Sequence, residues 1–266
     1  MNLSINRVIV YIVASLVLVY LMLPTFIIIP MSFSSASYMQ FPPPGFSLRW
    51  YEAFFSDSLW MNSFFLSLKL GVVTMIVSTI LGTLASVTLA RTRSKWNDLF
   101  YSVLLTPMIV PLIIIAVVIY GFFTRLHLQG SFLGLVIAHT IVAIPYVITV
   151  VLGALRGFDI FIEQAAVSLG AHPFKAFIKI TVPIISPALL SGALFAFIAS
   201  FDELIVALFV SNTFTKTLPV KMWEGMRLEI DPTMTAVASV LITISIALLL
   251  SVELLKSFGK QKKVLK

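Results

Sequence analysis

Two adjacent carboxylic acids, Asp202 and Glu203, interrupt a long apolar stretch of this 266-residue sequence. An aspartate at the middle of a membrane helix costs about 2.5–3.5 kcal/mol, so such acids normally face a protein seam or a water-filled cavity. The pair therefore predicts either a group that receives a cation or a polar seam between subunits. Because neighbours on a helix point about 100° apart, one carboxylate is expected to line a pathway while the other meets a partner helix or a backbone donor.

Aromatic rings in and near the same stretch could stabilise a cation through their faces. The candidates are Tyr120, Tyr146 and Phe201, and the alternative is that all three are packing residues. Prolines in the neighbouring apolar runs are expected to free backbone carbonyls and bend helices, which makes room for a cavity. These prolines are Pro107, Pro111 and Pro145.

Residue patterns for catalysis are missing from the sequence. There is no cysteine, and no glycine-rich loop of the kind that cradles nucleotide phosphates. His127, His139 and His172 fall on separate elements without ligand spacing, so each is interpreted as structural. The sequence therefore predicts no metal site, no catalytic residue and no cofactor held by this chain, and it disfavours a membrane-embedded enzyme.

Composition places the chain in a bilayer, because 59% of its residues are hydrophobic, 11% are charged and the mean hydropathy is +1.06. Runs long enough to cross the membrane must be helical, since lipid offers backbone groups no partners. We predict an all-α, polytopic fold in one domain, 1–266, with Asp202 in the outer third of a continuous fifth helix. The six predicted spans are 8–29, 66–90, 99–123, 132–152, 184–210 and 234–255.

Basic residues set the predicted orientation. With the N-terminus inside, twelve lysines and arginines fall in inner segments and five in outer ones. The positive-inside rule then puts both termini and the loop 158–183 in the cytoplasm. The net charge of +7 is thereby explained by topology, and no nucleic-acid partner is expected. The basic C-terminal tail is expected to rest on lipid headgroups.

The loop 158–183 is predicted to form helix, turn and helix, because small residues are followed by Gly170 and Pro173. Its sequence reads Glu163-Gln164-Ala165-Ala166-Val167-Ser168-Leu169-Gly170, and Ile180-Thr181-Val182-Pro183 follows. This spacing resembles the EAA motif of ABC-importer permeases. Gln164 stands where the motif has glutamate and Val182 where it has leucine. We name residues 158–183 the coupling segment. The resemblance assigns ATPase coupling to Glu163, Gln164, Ala165, Ala166, Leu169 and Gly170.

Further segments resemble the spermidine/putrescine (PotC-like) subfamily of these permeases, notably residues 45–51, 81–85, 200–203 and 217–220. The resemblance implies a type I ABC importer fold in the bacterial inner membrane. It also implies a second permease in a heterodimer, two ATP-binding cassette subunits that hold ATP and Mg, and a periplasmic or extracellular solute-binding protein. A polyamine or related cation is the expected solute. Opines, aminophosphonates, other amines and ferric iron are alternatives within the same family.

Two outer segments combine aromatic and charged residues near span boundaries. Trp50 and Tyr51 lie in the first, and Trp223 and Glu224 lie in the second, which is long enough for a short helix. They are interpreted either as contacts for the solute-binding protein or as interfacial aromatic belts. Another class of function stays open from the residues alone: a proton- or ion-coupled secondary transporter that titrates Asp202 or Glu203.

Overall fold

A computed structural model describes residues 5–92, 94–228 and 232–264 of the chain. Within these ranges nearly all regular structure is helical, and the one extended pairing is an isolated bridge between Ser34 and Phe46. The prediction of an all-α fold is confirmed. The helices are α1 (Ile5–Ser32), α2 (Arg49–Ser56), α3 (Ser58–Arg91), α4 (Asn97–Ile109), α5 (Leu112–Arg125), α6 (Phe132–Arg156), α7 (Ile160–Ser168), α8 (Pro173–Ala176), α9 (Val182–Phe201), α10 (Ile205–Val210), α11 (Leu218–Leu228) and α12 (Thr233–Val264). A π-helical turn, Phe177–Thr181, joins α8 to α9.

Apolar helices occupy all six predicted spans. Four helical stretches among the described residues are long and apolar enough to cross a membrane, and α4 with α5 forms a fifth if the bent pair is one span. Thr233–Leu248, within α12, is a shorter apolar helix at the sixth position. Several helices extend beyond the predicted spans: α1 begins at Ile5 rather than at residue 8, and α3 begins at Ser58 rather than at residue 66. The lysines of the C-terminal tail lie outside the residues whose side chains are described.

The third predicted span, 99–123, is not one continuous helix. It is broken between α4 and α5, whose axes differ by 102°. Val110, the C-terminal cap residue of α4, is extended with φ −75° and ψ 135°, because Pro111 disfavours the helical region for the residue before it. Pro111 was predicted to bend the helix, and the structure shows that the helix ends there instead. Pro145, by contrast, lies inside α6 without ending it.

The fifth predicted span, 184–210, is also two helices, which corrects the prediction of one continuous helix with the acidic pair in its outer third. Helix α9 ends at Phe201, and α10 starts at Ile205. Asp202 is the C-terminal cap residue of α9, with φ −95° and ψ 0°. The two acids therefore lie in the connection between the helices. Apolar residues continue on both sides of the break, so the sequence pattern did not predict it.

The described residues fall into two compact units. The first comprises residues up to 61 together with 222–244, and the second comprises 62–221 together with 245–264. In the first, the Tyr51 ring lies 5.1 Å from the Phe33 ring and its hydroxyl lies 2.7 Å from Ser32 Oγ. These contacts fix the start of α2 against the end of α1.

Helix α6 is the centre of the second unit. One cluster of buried side chains joins it to α3, α5 and α10, and includes Leu70, Ile119, Leu135 and Val206. A second cluster joins it to α9 through Val147, Val151, Leu155, Ile185 and Ala196. Between helices in lipid, such packing stabilises the fold through van der Waals contacts. Helix α6 contributes to both clusters and is therefore the element around which the site is arranged.

Candidate functional site: a polar cavity and a coupling segment

A cavity of about 500 Å³ lies where α5, α6, α9 and α10 approach one another in the second unit. Three of its lining residues carry polar groups: Asp202, Glu203 and Tyr146. The remaining lining residues are apolar, namely Leu112, Val142, Phe195, Ile198, Ala199, Leu204 and Ile205. The breaks that end α4 and α9 bring Leu112 and Asp202 to the same space. The cavity thus combines apolar walls with an acidic end.

Glu203 uses its carboxylate to cap α10. Its residue exposure is 6%, and its two oxygens accept hydrogen bonds of 3.0 Å each from the backbone N–H groups of Val206 and Ala207. The first N–H groups of any helix lack partners within the helix, and an acid at that end satisfies them and complements the helix dipole. The charge of Glu203 is therefore committed to α10.

Asp202 has different surroundings from Glu203. Asp202 is exposed and lines the cavity, and within the described residues no hydrogen bond or ion pair involves its carboxylate. It also stands at the C-terminal end of α9, where the helix dipole is negative. The carboxylate and the last carbonyls of α9 together favour a cation in the cavity.

The predicted aromatic residues are separated by the structure. Tyr146 lines the cavity on α6. Tyr120 lies on α5 with its ring 6.3 Å from that of Phe209, and Phe201 is buried with its ring stacked 5.3 Å from that of Phe197. Neither is among the cavity lining. Their observed contacts are those of packing residues, which the sequence left open as the alternative.

Sequence reasoning missed a polar link behind the cavity. His139 of α6 is fully buried, and its Nδ1 lies 2.9 Å from Ser200 Oγ and 3.1 Å from the Ser200 carbonyl. Ser200 is two residues before Asp202, so the link fixes the end of α9 against α6. His139 was interpreted as structural from its isolation in the sequence, and only the fold reveals its partner, 61 residues away.

The coupling segment has the predicted helix, turn and helix. Helix α7 ends in a Schellman motif, in which the N–H of Ala171 donates to the carbonyl of Ala166 at 3.0 Å and the N–H of Gly170 donates to that of Val167 at 2.9 Å. Gly170 has φ +94°, a conformation that side chains with a Cβ rarely adopt. Pro173 begins α8, as predicted.

One face of this segment is open to solvent. Gln164, Ala165 and Gly170 are exposed and Leu169 is 89% exposed, while Ala166 is half-buried. Two further apolar side chains, Phe161 and Phe174, are also exposed, and the sequence had not singled them out. Small residues flanked by exposed rings form a surface that another protein could cover.

Glu163 departs from the rest of its predicted group, because it is buried at 6% exposure and faces the protein. Its two oxygens pair with Arg91, the last residue of α3: Nη1 donates to Oε1 at 2.9 Å and Nη2 donates to Oε2 at 2.6 Å. The hydroxyl of Thr181 also donates to Oε2. The Arg91 guanidinium lies 5.1 Å from the centre of the Phe177 ring.

The outer candidates all lie in the first unit. Trp50 is in α2 under the Arg49 guanidinium, 4.1 Å from the ring centre, and Tyr51 is held by the α1 contacts described above. Trp223 and Glu224 lie on α11, the helix predicted for this segment, and Arg227 lies 4.8 Å from the Trp223 ring. All four are half-buried.

Comparison with known proteins identifies the chain. Residues 78–257 match the family described as "Binding-protein-dependent transport system inner membrane component". The chain belongs to this family. This inner membrane component is 28% identical over 236 residues to the spermidine/putrescine transport system permease protein PotC of Escherichia coli K12, covering 89% of each chain. It is 34% identical over 205 residues to the putrescine transport system permease protein PotI of the same strain, covering 74% of this chain and 73% of that one.

Solved structures agree on the fold. One crystal structure, of a bacterial ABC transporter involved in the import of the acidic polysaccharide alginate, superimposes with a TM-score of 0.72 at 17% identity, covering 97% of this chain and 99% of that one. Another, of a bacterial alginate ABC transporter in complex with an alginate pentasaccharide-bound periplasmic protein, gives a TM-score of 0.68 at 12% identity, covering 94% and 92%. The inner membrane component therefore has the type I ABC importer permease fold, and its family is a transport component rather than a catalytic enzyme.

Proposed function

We propose that this inner membrane component is one half of a heterodimeric pore that imports a small organic cation of the polyamine class. The observation that carries the proposal is the unpaired Asp202 carboxylate at the negative end of α9, facing an otherwise largely apolar cavity. A polyamine has cationic amines joined by methylene chains. The acid suits an amine, and the apolar walls suit the methylenes.

The division of roles between the two acids supports this reading over a polar seam. Because the Glu203 carboxylate is held by two backbone N–H groups of α10, Asp202 is the acid in the described lining that is left available to a solute. A carboxylate-bearing opine or an aminophosphonate would place an anion against Asp202. Tyr146 provides an aromatic face or a hydroxyl on the opposite helix, α6. Relatives named for spermidine and putrescine transport support the same solute class.

The energy for import comes, in this proposal, from two ATP-binding cassette subunits that hold ATP and Mg. They dock on the exposed face of the coupling segment, formed by Gln164, Ala165, Leu169 and Gly170. The positive-inside distribution of lysine and arginine supports a cytoplasmic location for this face and for both termini. A solute-binding protein delivers the cation on the opposite side, with Trp50, Tyr51, Trp223 and Glu224 as its candidate contacts.

Uptake by the complete transporter in proteoliposomes tests the proposal. Labelled spermidine and putrescine should accumulate only with ATP on the side of the coupling segment and with the loaded binding protein on the other. Excess unlabelled polyamine should compete, whereas an opine, an aminophosphonate or ferric iron should not.

Two results would contradict the proposal. If an opine, an aminophosphonate or ferric iron competed with the labelled polyamine, that compound would be the transported solute instead. Uptake driven by a pH gradient without ATP, in vesicles containing this chain alone, would establish a secondary transporter instead.

A further inference from the structure

Glu163 lies at a junction of three elements that are far apart in the sequence. It belongs to α7, its partner Arg91 ends α3, and its second partner Thr181 ends the π-helical turn that leads directly into α9. Both of its carboxylate oxygens are used, and the side chain is shielded from solvent. No other ion pair joins α7 to the rest of the described second unit.

We propose that Glu163 is a positioning residue that fastens the coupling segment to α3 and α9, so that a displacement of α7 reaches the cavity through α9. We refer to Arg91, Glu163 and Thr181 as the clamp. The proposal rests on the proposed function in one respect: it takes the ATPase subunits as the source of the displacement.

The geometry of the clamp fits this role better than a docking contact. A bidentate arginine–carboxylate pair fixes orientation as well as distance, unlike a single flexible ion pair. Glu163 is turned away from the exposed face that carries Gln164 and Leu169, so a docked partner would not reach its carboxylate. The Phe177 ring beneath the guanidinium limits the positions that Arg91 can take.

The clamp also has a direct route to the solute site. Thr181 immediately precedes α9, and Asp202 caps the other end of that helix, about 30 Å away at 1.5 Å per residue. Helix α9 is continuous over this length, with Pro187 inside it, so a shift at Thr181 is passed along the helix towards Asp202. The π-helical turn Phe177–Thr181, whose last residue belongs to the clamp, connects α8 to α9, and an irregular helical turn can absorb a change of angle there.

A spectroscopic test needs no partner and no transport. The natural chain lacks cysteine, so spin labels at Gln164→Cys and Leu190→Cys, both at exposed positions of α7 and α9, are specific. In the full chain in lipid nanodiscs, the distance between them should give one narrow peak. Glu163→Gln should lose that peak to a broad distribution, and the charge swap Arg91→Glu with Glu163→Arg should restore it. Lys175→Gln, an exposed charge on the same segment, serves as the matched control and should keep the narrow peak.

A transport test uses the complete importer with the same variants. Glu163→Gln should keep its ATPase subunits and basal ATP hydrolysis but import at least about tenfold less solute per ATP. The charge swap should recover most of the lost coupling, which a general loss of fold would not allow.

Two results would overturn the proposal. One is an unchanged narrow distance in Glu163→Gln. The other is loss of uptake in proportion to lost ATPase subunits, which would make Glu163 a docking contact. If the unaltered importer shows no ATP-driven uptake, the proposed function fails, and the spectroscopic result still decides the clamp.

Discussion

Removing the carboxylate of Glu203 should destabilise the fold, because that group holds the first turn of α10. In Glu203→Ala the buried N–H groups of Val206 and Ala207 lose their partners. Each unsatisfied buried donor costs about 1–3 kcal/mol. The adjacent cavity admits water that replaces part of this loss, so a total of about 2–4 kcal/mol is expected.

The glutamine variant should fall between alanine and the natural residue. Glu203→Gln keeps one acceptor oxygen, while its amide nitrogen cannot accept, so about half the loss is expected. On a scale of about 2–4 °C per kcal/mol, the alanine variant should lower Tm by on the order of 5–10 °C and the glutamine variant by on the order of half that. The assay is thermal unfolding of the full chain in detergent, followed through the fluorescence of its four tryptophans.

Asp202→Ala is the matched control for this prediction. It removes the neighbouring acid, whose carboxylate has no hydrogen bond among the described residues, so Tm should not fall. An equal fall in Tm in Asp202→Ala and Glu203→Ala, or an unchanged Tm in Glu203→Ala, would refute the division of roles between the two acids.

Three further predictions concern the coupling segment. Gly170→Val forces a side chain into φ +94°, at about 1–3 kcal/mol of strain, so it should abolish uptake and ATPase co-purification while the amount of inserted chain stays normal; normal uptake would contradict this. Gln164→Glu introduces the negative charge that the motif has at this position and this chain lacks. The ATPase complex should then survive higher salt in a pull-down, because charge-assisted hydrogen bonds are roughly twice as strong as neutral ones. Weaker retention of the ATPase subunits would argue against docking at this position. Leu169→Cys, the sole cysteine of its variant, should react with an impermeant maleimide only from the cytoplasmic side, and labelling from outside would reverse the topology.

The sequence predicted the helical class and the turn at Gly170 because these depend on local signals: apolar run length, a glycine that permits a sharp turn and a proline suited to the first helical turn. The same reasoning missed the break at Asp202, since the apolar run continues on both sides of it. Only the tertiary structure shows that the Glu203 carboxylate accepts hydrogen bonds from the N–H groups of Val206 and Ala207, which have no backbone partner once the helix is interrupted.

The clamp could not be predicted for a different reason. Arg91 appeared in the sequence as one of several inner basic residues, and Glu163 as part of a motif read as a contact surface. The two are 72 residues apart, and no periodicity links them. The inward orientation of Glu163 is shown by its pairing with Arg91 at the end of α3, which depends on tertiary packing rather than on sequence spacing.

The most direct test of the account is the maximal rate of polyamine uptake by the complete importer with saturating loaded binding protein. Asp202→Asn removes the charge while keeping the shape, and at least about a tenfold fall in rate is predicted, equivalent to about 1.4 kcal/mol of lost cation stabilisation. Basal ATP hydrolysis should persist. An unchanged uptake rate in Asp202→Asn would contradict the claim that this carboxylate receives the cation.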